Sequence, residues 1–473
     1  MPGRTTTLLL ASILLATPAI ASARDGKPNI VFILADDLGR AEVGVYGQEK
    51  IRTPSIDRLA AEGMRFTRFY SGSPVCAPSR CTLMTGKHSG HGFVRDNREI
   101  QPEGQAPLPA SEVTLAEMLK AQGYATAAAG KWGLGSPGSE GEPLNQGFDH
   151  FFGYNCQRHA HNHYPTYLWN DREKVELKGN TGGPTGEQFS HDLFEARALD
   201  WIREYKDRPF FLFLPFIIPH VAVQVPGDSL AEYAGKLEDA PYDGKKGYLP
   251  HPTPHAGYAA MVTRMDRTVG RILDLLRETG LDDDTIVIFA SDNGPTHNVG
   301  GADSDFFQSA GGLRGLKGSV YEGGIAVPFL VRWPGRVKPG TTSDFVGYFP
   351  DVAPTLLELV GASDAVPPGL DGISFAPSLL GKPEEQKPHE FLYWEFASYG
   401  GQQAVRMGPW KAVRQNLRAG KTAIELYNLD QDPKEERDVA ADHPEIVDKA
   451  RSILEKEHVR SELFPLPSID PKK

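Results

Sequence analysis

Apolar positions along the chain fall into two recurring patterns. Asn29 opens NIVFILADD, a short run apolar on both faces that ends in two aspartates, and a few residues on TPSIDRLAAEGMRF repeats apolar residues at helical spacing. Thr53 and Pro54 supply the cap and first position of that helix, and Gly63 supplies its stop. The pair recurs in SEVTLAEMLKAQGYATAAAGKWG, which predicts a helix from a Ser111 cap to Gly123 and then a small-residue strand running into Lys131. A helix from His191 to Tyr205 leads into the strand PFFLFLPF, and a long helix from Tyr258 to Thr279 leads into TIVIFASDNG. Strands apolar on both faces that alternate with amphipathic helices predict an α/β fold, a large, mainly parallel (mixed) sheet sandwiched by helices.

The rhythm changes toward the end. After the helix in DVAPTLLELVGA comes the Pro- and Gly-rich AVPPGLDGISFAPSLLGKP, and beyond it FLYWEF, AVRM, WKAVRQ and ELYNL predict short strands near hairpin turns, with HPEIVDKARSILEKEH as an amphipathic helix. A smaller C-terminal antiparallel-sheet-plus-helix subdomain over residues 384–473, after a catalytic domain over 24–383, is expected. At the other end, the apolar run from Leu8 to Ala16, Pro18, and the small residues Ala21 and Ala23 predict a cleavable secretory leader over residues 1–23. The run is far shorter than the ~20 residues of a membrane span. No membrane anchor is expected, and the mature protein is expected to be exported, periplasmic or secreted.

Composition narrows the field slightly. Hydrophobic residues at 40% and charged residues at 23% fit a globular chain, and a net charge of -11 disfavours nonspecific nucleic-acid binding. Three cysteines, Cys76, Cys81 and Cys156, cannot build a disulfide framework, and whether Cys81 pairs with Cys156 stays open.

Candidate chemistry gathers at strand ends. Asp36 and Asp37 end one predicted strand, Asp292 and Asn293 another, and ligands of open α/β sheets bind beyond such carboxyl ends. Four hard oxygen side chains suit Ca²⁺, with Mg²⁺ second, better than zinc; the alternative is that they are turn and cap residues. In SPVCAPSRCTLMTG, Pro78 predicts a short helix with Cys76 just outside its N-terminus and Arg80 about one turn inside, a setting that favours an anion at residue 76. Cys76 is alternatively a small buried residue or a thiolate nucleophile.

The stretch from Cys76 to Gly86, CAPSRCTLMTG, resembles the C-x-P-S-R-x-x-L-x-T-G signature of type I sulfatases, arylsulfatase-like members of the alkaline phosphatase superfamily. The similarity extends through ADDLG, GKWGLG, QGFDHFFGY, PFIIPH, SDNGP, RGLKGSVYEGG, PFLVRWPG and LYNLDQDPKEERD. It implies that a formylglycine-generating enzyme converts Cys76 to Cα-formylglycine (3-oxoalanine) during maturation. It further implies Ca²⁺ binding by Asp36, Asp37, Asp292, Asn293 and the modified residue 76, Arg80 holding the aldehyde hydrate, Lys131 and Lys317 binding sulfate oxygens, and His220 protonating the leaving alcohol. The implied reaction is attack on sulfur by one hydroxyl of the hydrate, helped by Asp292, then expulsion of sulfate as the second hydroxyl loses its proton.

One position departs from the family. Many relatives carry a histidine two residues after the lysine of GKW, a candidate base for the second step, and this chain has Gly133 there. His159, His161 and His163 in CQRHAHNHYP are the replacements on offer, with His161 favoured and a structural role for the cluster as the alternative. Arg314 is expected either to touch substrate or to solvate a loop, His88 and His91 either to buttress the site or, as the favoured reading, to give structural support, and Tyr393, Trp394 and Trp410 to form core or a sugar platform. Three functions follow: a sulfatase acting on a sulfated sugar or polysaccharide, such as a galactose or N-acetylgalactosamine sulfate, with aryl sulfates as artificial substrates; a phosphatase or phosphodiesterase with an unmodified Ser or Thr and two zinc ions; or an inactive glycan-binding relative.

Overall fold

The computed structural model describes residues 26–470 apart from residue 102, so the leader expected over residues 1–23 lies outside the described residues. Ten strands form one sheet: β1 (Asn29–Asp36), β2 (Met64–Tyr70), β3 (Ala125–Lys131), β4 (His150–Tyr154), β5 (Tyr167–Asn170), β6 (Glu173–Glu176), β7 (Phe210–Pro219), β8 (Thr285–Ser291), β9 (Phe329–Arg332) and β10 (Thr341–Tyr348). Their order is β10-β2-β9-β8-β1-β7-β3-β4-β5-β6. The five central strands, β8 through β4, pair in parallel, while β9 and the β5–β6 hairpin run antiparallel. The sheet is therefore mixed and mainly parallel through its centre, as expected.

The apolar character of β1 follows from cover on both faces. Successive side chains point to opposite sides of a strand. Val31, Ile33 and Ala35 enter one core with α1 (Pro54–Ala61), α4 (Ser190–Glu204) and the long helix Pro254–Glu278. Ile30, Phe32 and Leu34 enter the other, with α2 (Cys76–Thr85), α3 (Leu115–Ala121) and the helix Val352–Leu359.

Two helix starts differ from expectation. The cap of α3 is Thr114, not Ser111: Thr114 Oγ1 accepts from the Glu117 N–H at 3.2 Å and the Glu117 carboxylate accepts from the Thr114 N–H at 2.8 Å, a reciprocal capping box that the exposed Ser111 has no way to close. The long helix begins at Pro254, one turn before Tyr258, because a proline at the first helical position forfeits only an N–H that has no intrahelical partner.

A second sheet, β11 (Leu392–Phe396), β12 (Gln402–Met407), β13 (Trp410–Gln415) and β14 (Glu425–Asn428), is an antiparallel meander. One face, with Trp394, Ala404 and Val413, packs on Tyr70 and Tyr348 of the large sheet. The other, with Tyr393, Val405 and Leu426, packs on Ala450 and Leu454 of the terminal helix Pro444–Lys456. Tyr393 and Trp394 are thus core residues, and half-buried Trp410 packs by that helix against His443. Among the described residues no helix is long and apolar enough to cross a membrane.

His458 follows the terminal helix and ties the end of the chain down. Its Nδ1 lies 2.6 Å from Glu395 Oε2 and its Nε2 3.1 Å from Asp470 Oδ1, so both ring nitrogens face carboxylates. Burial opposes the imidazolium, but Glu395 and then Asp470 outweigh it and raise the His458 pKa. A raised folded-state pKa adds stability that is complete below the unfolded value and is lost as pH rises through the folded one. His458→Gln is therefore expected to lower the thermal midpoint at about pH 6, just under the ordinary histidine value. Melts of the two proteins should converge in alkaline buffer.

Candidate active site

Parallel pairing in register builds the site. Ala35 of β1 sits opposite Ser291 of β8, so the residues that follow each strand leave the sheet side by side. The Asp37 N–H donates to Asp292 Oδ1 at 3.1 Å, and Asn293 Nδ2 donates to Asp37 Oδ1 at 2.8 Å. His220 follows β7 and Lys131 ends β3, so four adjacent strands, β8-β1-β7-β3, deliver their carboxyl-terminal residues to one point.

Helix α2 closes that point from one side. It begins at Cys76, with Val75 as its cap, so Cys76 occupies the first helical position rather than a place just outside. Pro78 lies within the first turn, where no N–H is needed, while the Ser79 N–H already donates to the Val75 carbonyl at 3.2 Å. One turn on, Arg80 donates from Nε and Nη2 to Asp292 Oδ2 at 3.1 and 2.8 Å, lies 3.7 Å from Asp36 Oδ2, and also donates to the Lys131 carbonyl. Cys76 Sγ is 3.2 Å from Asp36 Oδ1 and 3.8 Å from Asp37 Oδ1.

Three buried carboxylates are thus matched by three cations. Lys131 Nζ donates to Asp36 Oδ2 at 2.5 Å, Lys317 Nζ to Asp37 Oδ2 at 2.8 Å, and Arg80 to Asp292. Burial pushes the Asp36 carboxyl up, but Lys131 and the other cations override it and hold its pKa well below the usual range. Asp292, deeply buried beside Asp36, is raised to about 7. Burial, with Asp36 and Asp292 nearby, pushes the Cys76 thiol far up, which keeps it protonated and disfavours the thiolate nucleophile of a cysteine hydrolase. Burial and then Lys317 lower His220 well below the ordinary histidine value. Its Nδ1 donates to the Val221 carbonyl, leaving Nε2 as the open nitrogen, 3.6 Å from Asp37 Oδ2.

The donor set fits a hard cation. Asp36, Asp37 and Asp292 are wholly buried, and Asn293 Oδ1 is buried with no hydrogen-bond partner, an oxygen left free among carboxylates. His220 is the one histidine in the cluster, unlike the His-rich two-zinc site of the phosphatase alternative.

The remaining expectations separate. His161 does reach the site: its ring stacks on His220 with centroids 4.7 Å apart, and it lines a cavity of about 330 Å³ with His220, Lys317 and Tyr248. His163 Nε2 bonds the His220 carbonyl at 2.9 Å, a supporting position. His159 turns away to Glu103, 3.7 Å distant. Arg314 also points away from this cavity. It is exposed, stacks over Tyr321, and donates to Tyr427 Oη and the Glu435 carbonyl at 2.9 and 2.8 Å, so its guanidinium serves the second sheet. His91 and His88 contact Asp371 and Glu457, linking the loop after α2 to the terminal helix. Cys81 and Cys156 are buried and unpaired.

Other cavity residues are Gln157, from the segment 156–170, and Phe396, Ser398 and Tyr399, from the C-terminal segment, two regions the sequence marks for specificity without naming these side chains; Asn97 and Tyr248 escaped the sequence reading altogether. Neither Asn97 nor Tyr248 sits in a periodic pattern or motif that would have marked it. Tyr248 and Tyr399 both take left-handed backbone conformations, with φ of 64° and 50°, unusual for bulky residues. A larger groove of about 600 Å³ beside β10 contains none of the site residues.

The family model described as sulfatase matches residues 28–362. The chain belongs to the sulfatase family. A second model, described as N-sulphoglucosamine sulphohydrolase, C-terminal, matches residues 316–460. Human arylsulfatase A is 34% identical, covering 85% of this chain and 77% of its own length, and the N-acetylgalactosamine-6-O-sulfatase of Bacteroides thetaiotaomicron is 30% identical, covering 91% and 93%. The solved structure of Ps i-CgsB in complex with k-i-k-neocarrahexaose matches with a TM-score of 0.77 and 27% identity, over 94% of this chain and 95% of that one. This sulfatase is accordingly a sulfuric ester hydrolase, and the resemblance carried by the Cys76 signature holds over most of the chain.

The ion network sets a stability test. Removing one partner from a buried charge set costs about 3–5 kcal/mol, because the remaining charge stays buried and uncompensated. Arg80→Met should lower the urea unfolding free energy by about that amount, and adding Asp292→Asn should recover part of the loss by neutralising one of the two stranded carboxylates.

Proposed function

We propose that this sulfatase removes sulfate from a sulfated sugar, through residue 76 as formylglycine and a calcium ion held by Asp36, Asp37, Asp292 and Asn293. The observation that carries this reading is the placement of Cys76: at the first turn of α2, against Asp36, amid Lys131, Lys317 and Arg80, with His220 across the site. The hydrated aldehyde would supply the attacking hydroxyl and a second hydroxyl for release of sulfate, and the hard cation would make deprotonation easier and offset the ester's charge.

The chain's own residues account for the rest. Lys131 and Lys317 bring ammonium groups toward the sulfate oxygens, where positive charge stabilises the anion that develops as the S–O bond breaks. His220, its Nδ1–H fixed on the Val221 carbonyl, presents Nε2 toward the departing alcohol oxygen; it gives up a proton there as imidazolium, a form that the negative charge of a bound sulfate ester would favour against burial and Lys317. Arg80 braces Asp292 and the end of β3, keeping the nucleophile's surroundings rigid. His161, stacked on His220, lines the substrate cavity.

The cavity's makeup supports a sugar. At about 330 Å³ it is of small-molecule size, and it combines polar Asp96 and Asn97 with the rings of Tyr248 and Tyr399. With relatives named for N-acetylgalactosamine 6-sulfate, a galactose or N-acetylgalactosamine sulfate is the proposed substrate. All ten residues of α2 are buried, so a formylglycine-generating enzyme must act before the chain folds. Residues 1–23 are proposed to direct export to a periplasm or the exterior, and residues 384–473 to form the C-terminal subdomain.

Two measurements test the reading. A mass spectrum of the peptide spanning residue 76, from protein made in its native host, should show CHO in place of CH₂SH, and the same protein should cleave a chromogenic aryl sulfate faster than the matching phosphate ester; unmodified cysteine throughout would remove the mechanism. His220→Ala should lower kcat by about 10²–10⁴-fold with a poor alcohol leaving group, and much less with nitrophenyl sulfate, whose leaving oxygen needs little protonation.

A further inference from the structure

Gln157 is 6% exposed and lines the same cavity as His161, His220 and Lys317. Both polar atoms of its side chain, Oε1 and Nε2, are buried without a hydrogen-bond partner. Its backbone N–H donates to Gln105 Oε1 at 3.0 Å, which anchors the point from which the side chain departs. A buried amide left unpaired is costly, because it has given up its hydrogen bonds to water and gained none in the protein. A group of this kind on the wall of an active-site cavity points to a ligand that completes it.

Its position says which ligand. The side chain lies over Gly133: a Cβ built there would sit 2.0 Å from Gln157 Nε2 and 3.2 Å from its Cδ, and Gly133 has φ of +81°, so a larger residue at 133 would have to displace the Gln157 amide and would strain the backbone. Gly133 lies two residues beyond Lys131, whose ammonium and carbonyl are both committed to the ion network. The carboxamide therefore stands where the cavity meets the cationic end of the site. A primary amide neither gives up nor takes a proton in neutral water, so Gln157 offers hydrogen bonds and no base.

We propose that Gln157 is a substrate-binding residue whose amide N–H donates to an oxygen of the bound sulfate ester, in space that Gly133 leaves open. This rests on the sulfate-ester reading above. Its consequence is a neutral donor beside a ring of charged groups, so an anion placed at 157 works against the substrate.

The test compares wild type, Gln157→Ala and the near-isosteric Gln157→Glu on a chromogenic aryl sulfate, with inorganic sulfate as inhibitor and thermal melts alongside. Gln157→Ala should lower kcat/KM by about 10- to 100-fold, the range of a lost hydrogen bond to a charged group, and should weaken sulfate inhibition by a similar factor. Gln157→Glu should lose more on both readouts, while the melting temperature of Gln157→Ala stays near wild type. If both variants keep kcat/KM and sulfate inhibition within about twofold, or if both lose activity only in step with a fallen melting temperature, with sulfate inhibition unchanged, the proposal is overturned and the sulfatase reading stands. A wild type, carrying the modified residue 76, that turns over no sulfate ester overturns both.

Discussion

Everything at the site depends on holding three carboxylates together inside the protein. Asp36, Asp37 and Asp292 are wholly buried, a placement that costs several kcal/mol per ion unless each is compensated. Lys131, Lys317 and Arg80 compensate them, and each cation comes from a different element: the end of β3, the glycine-rich segment before β9, and the second turn of α2. The central parallel strands make this possible, since only parallel pairing brings several carboxyl ends to one edge of a sheet.

The same network defines the chemistry open to residue 76. Its thiol is held protonated by burial and by neighbouring carboxylates, so an unmodified cysteine is a poor nucleophile here. Yet residue 76 lies in the first turn of a helix among guanidinium and ammonium groups, surroundings that favour a bound anion. A site that keeps the thiol of residue 76 protonated while its cations face a bound anion accords with the proposal that the side chain is converted.

The second sheet contributes to this site as well as to stability. Phe396, Ser398 and Tyr399 close one side of the cavity, and buried Lys411, between Glu322 and Glu435 at 2.9 and 3.0 Å, joins the sheet to the segment that follows Lys317. The site is therefore divided: its charged groups gather beyond the carboxyl ends of the parallel strands, while the outer wall of the cavity belongs partly to loops and the smaller sheet. Such walls vary more freely than strand ends do.

The sequence by itself determined the α/β class, the acidic pairs Asp36–Asp37 and Asp292–Asn293 at strand ends, and the signature around Cys76. These are local patterns: strand period, cap and turn chemistry, and a motif fixed in spacing. Helix starts were less legible, because Ser111 and Thr114 both have cap chemistry and only the reciprocal bond with Glu117 separates them. Tertiary structure alone decided that Arg314 turns to Tyr427, that His161 rather than His159 reaches His220, and that the Gln157 amide covers Gly133. Each of these depends on where the chain beyond a loop is carried by the packing of other elements, and no periodicity along the chain encodes that meeting.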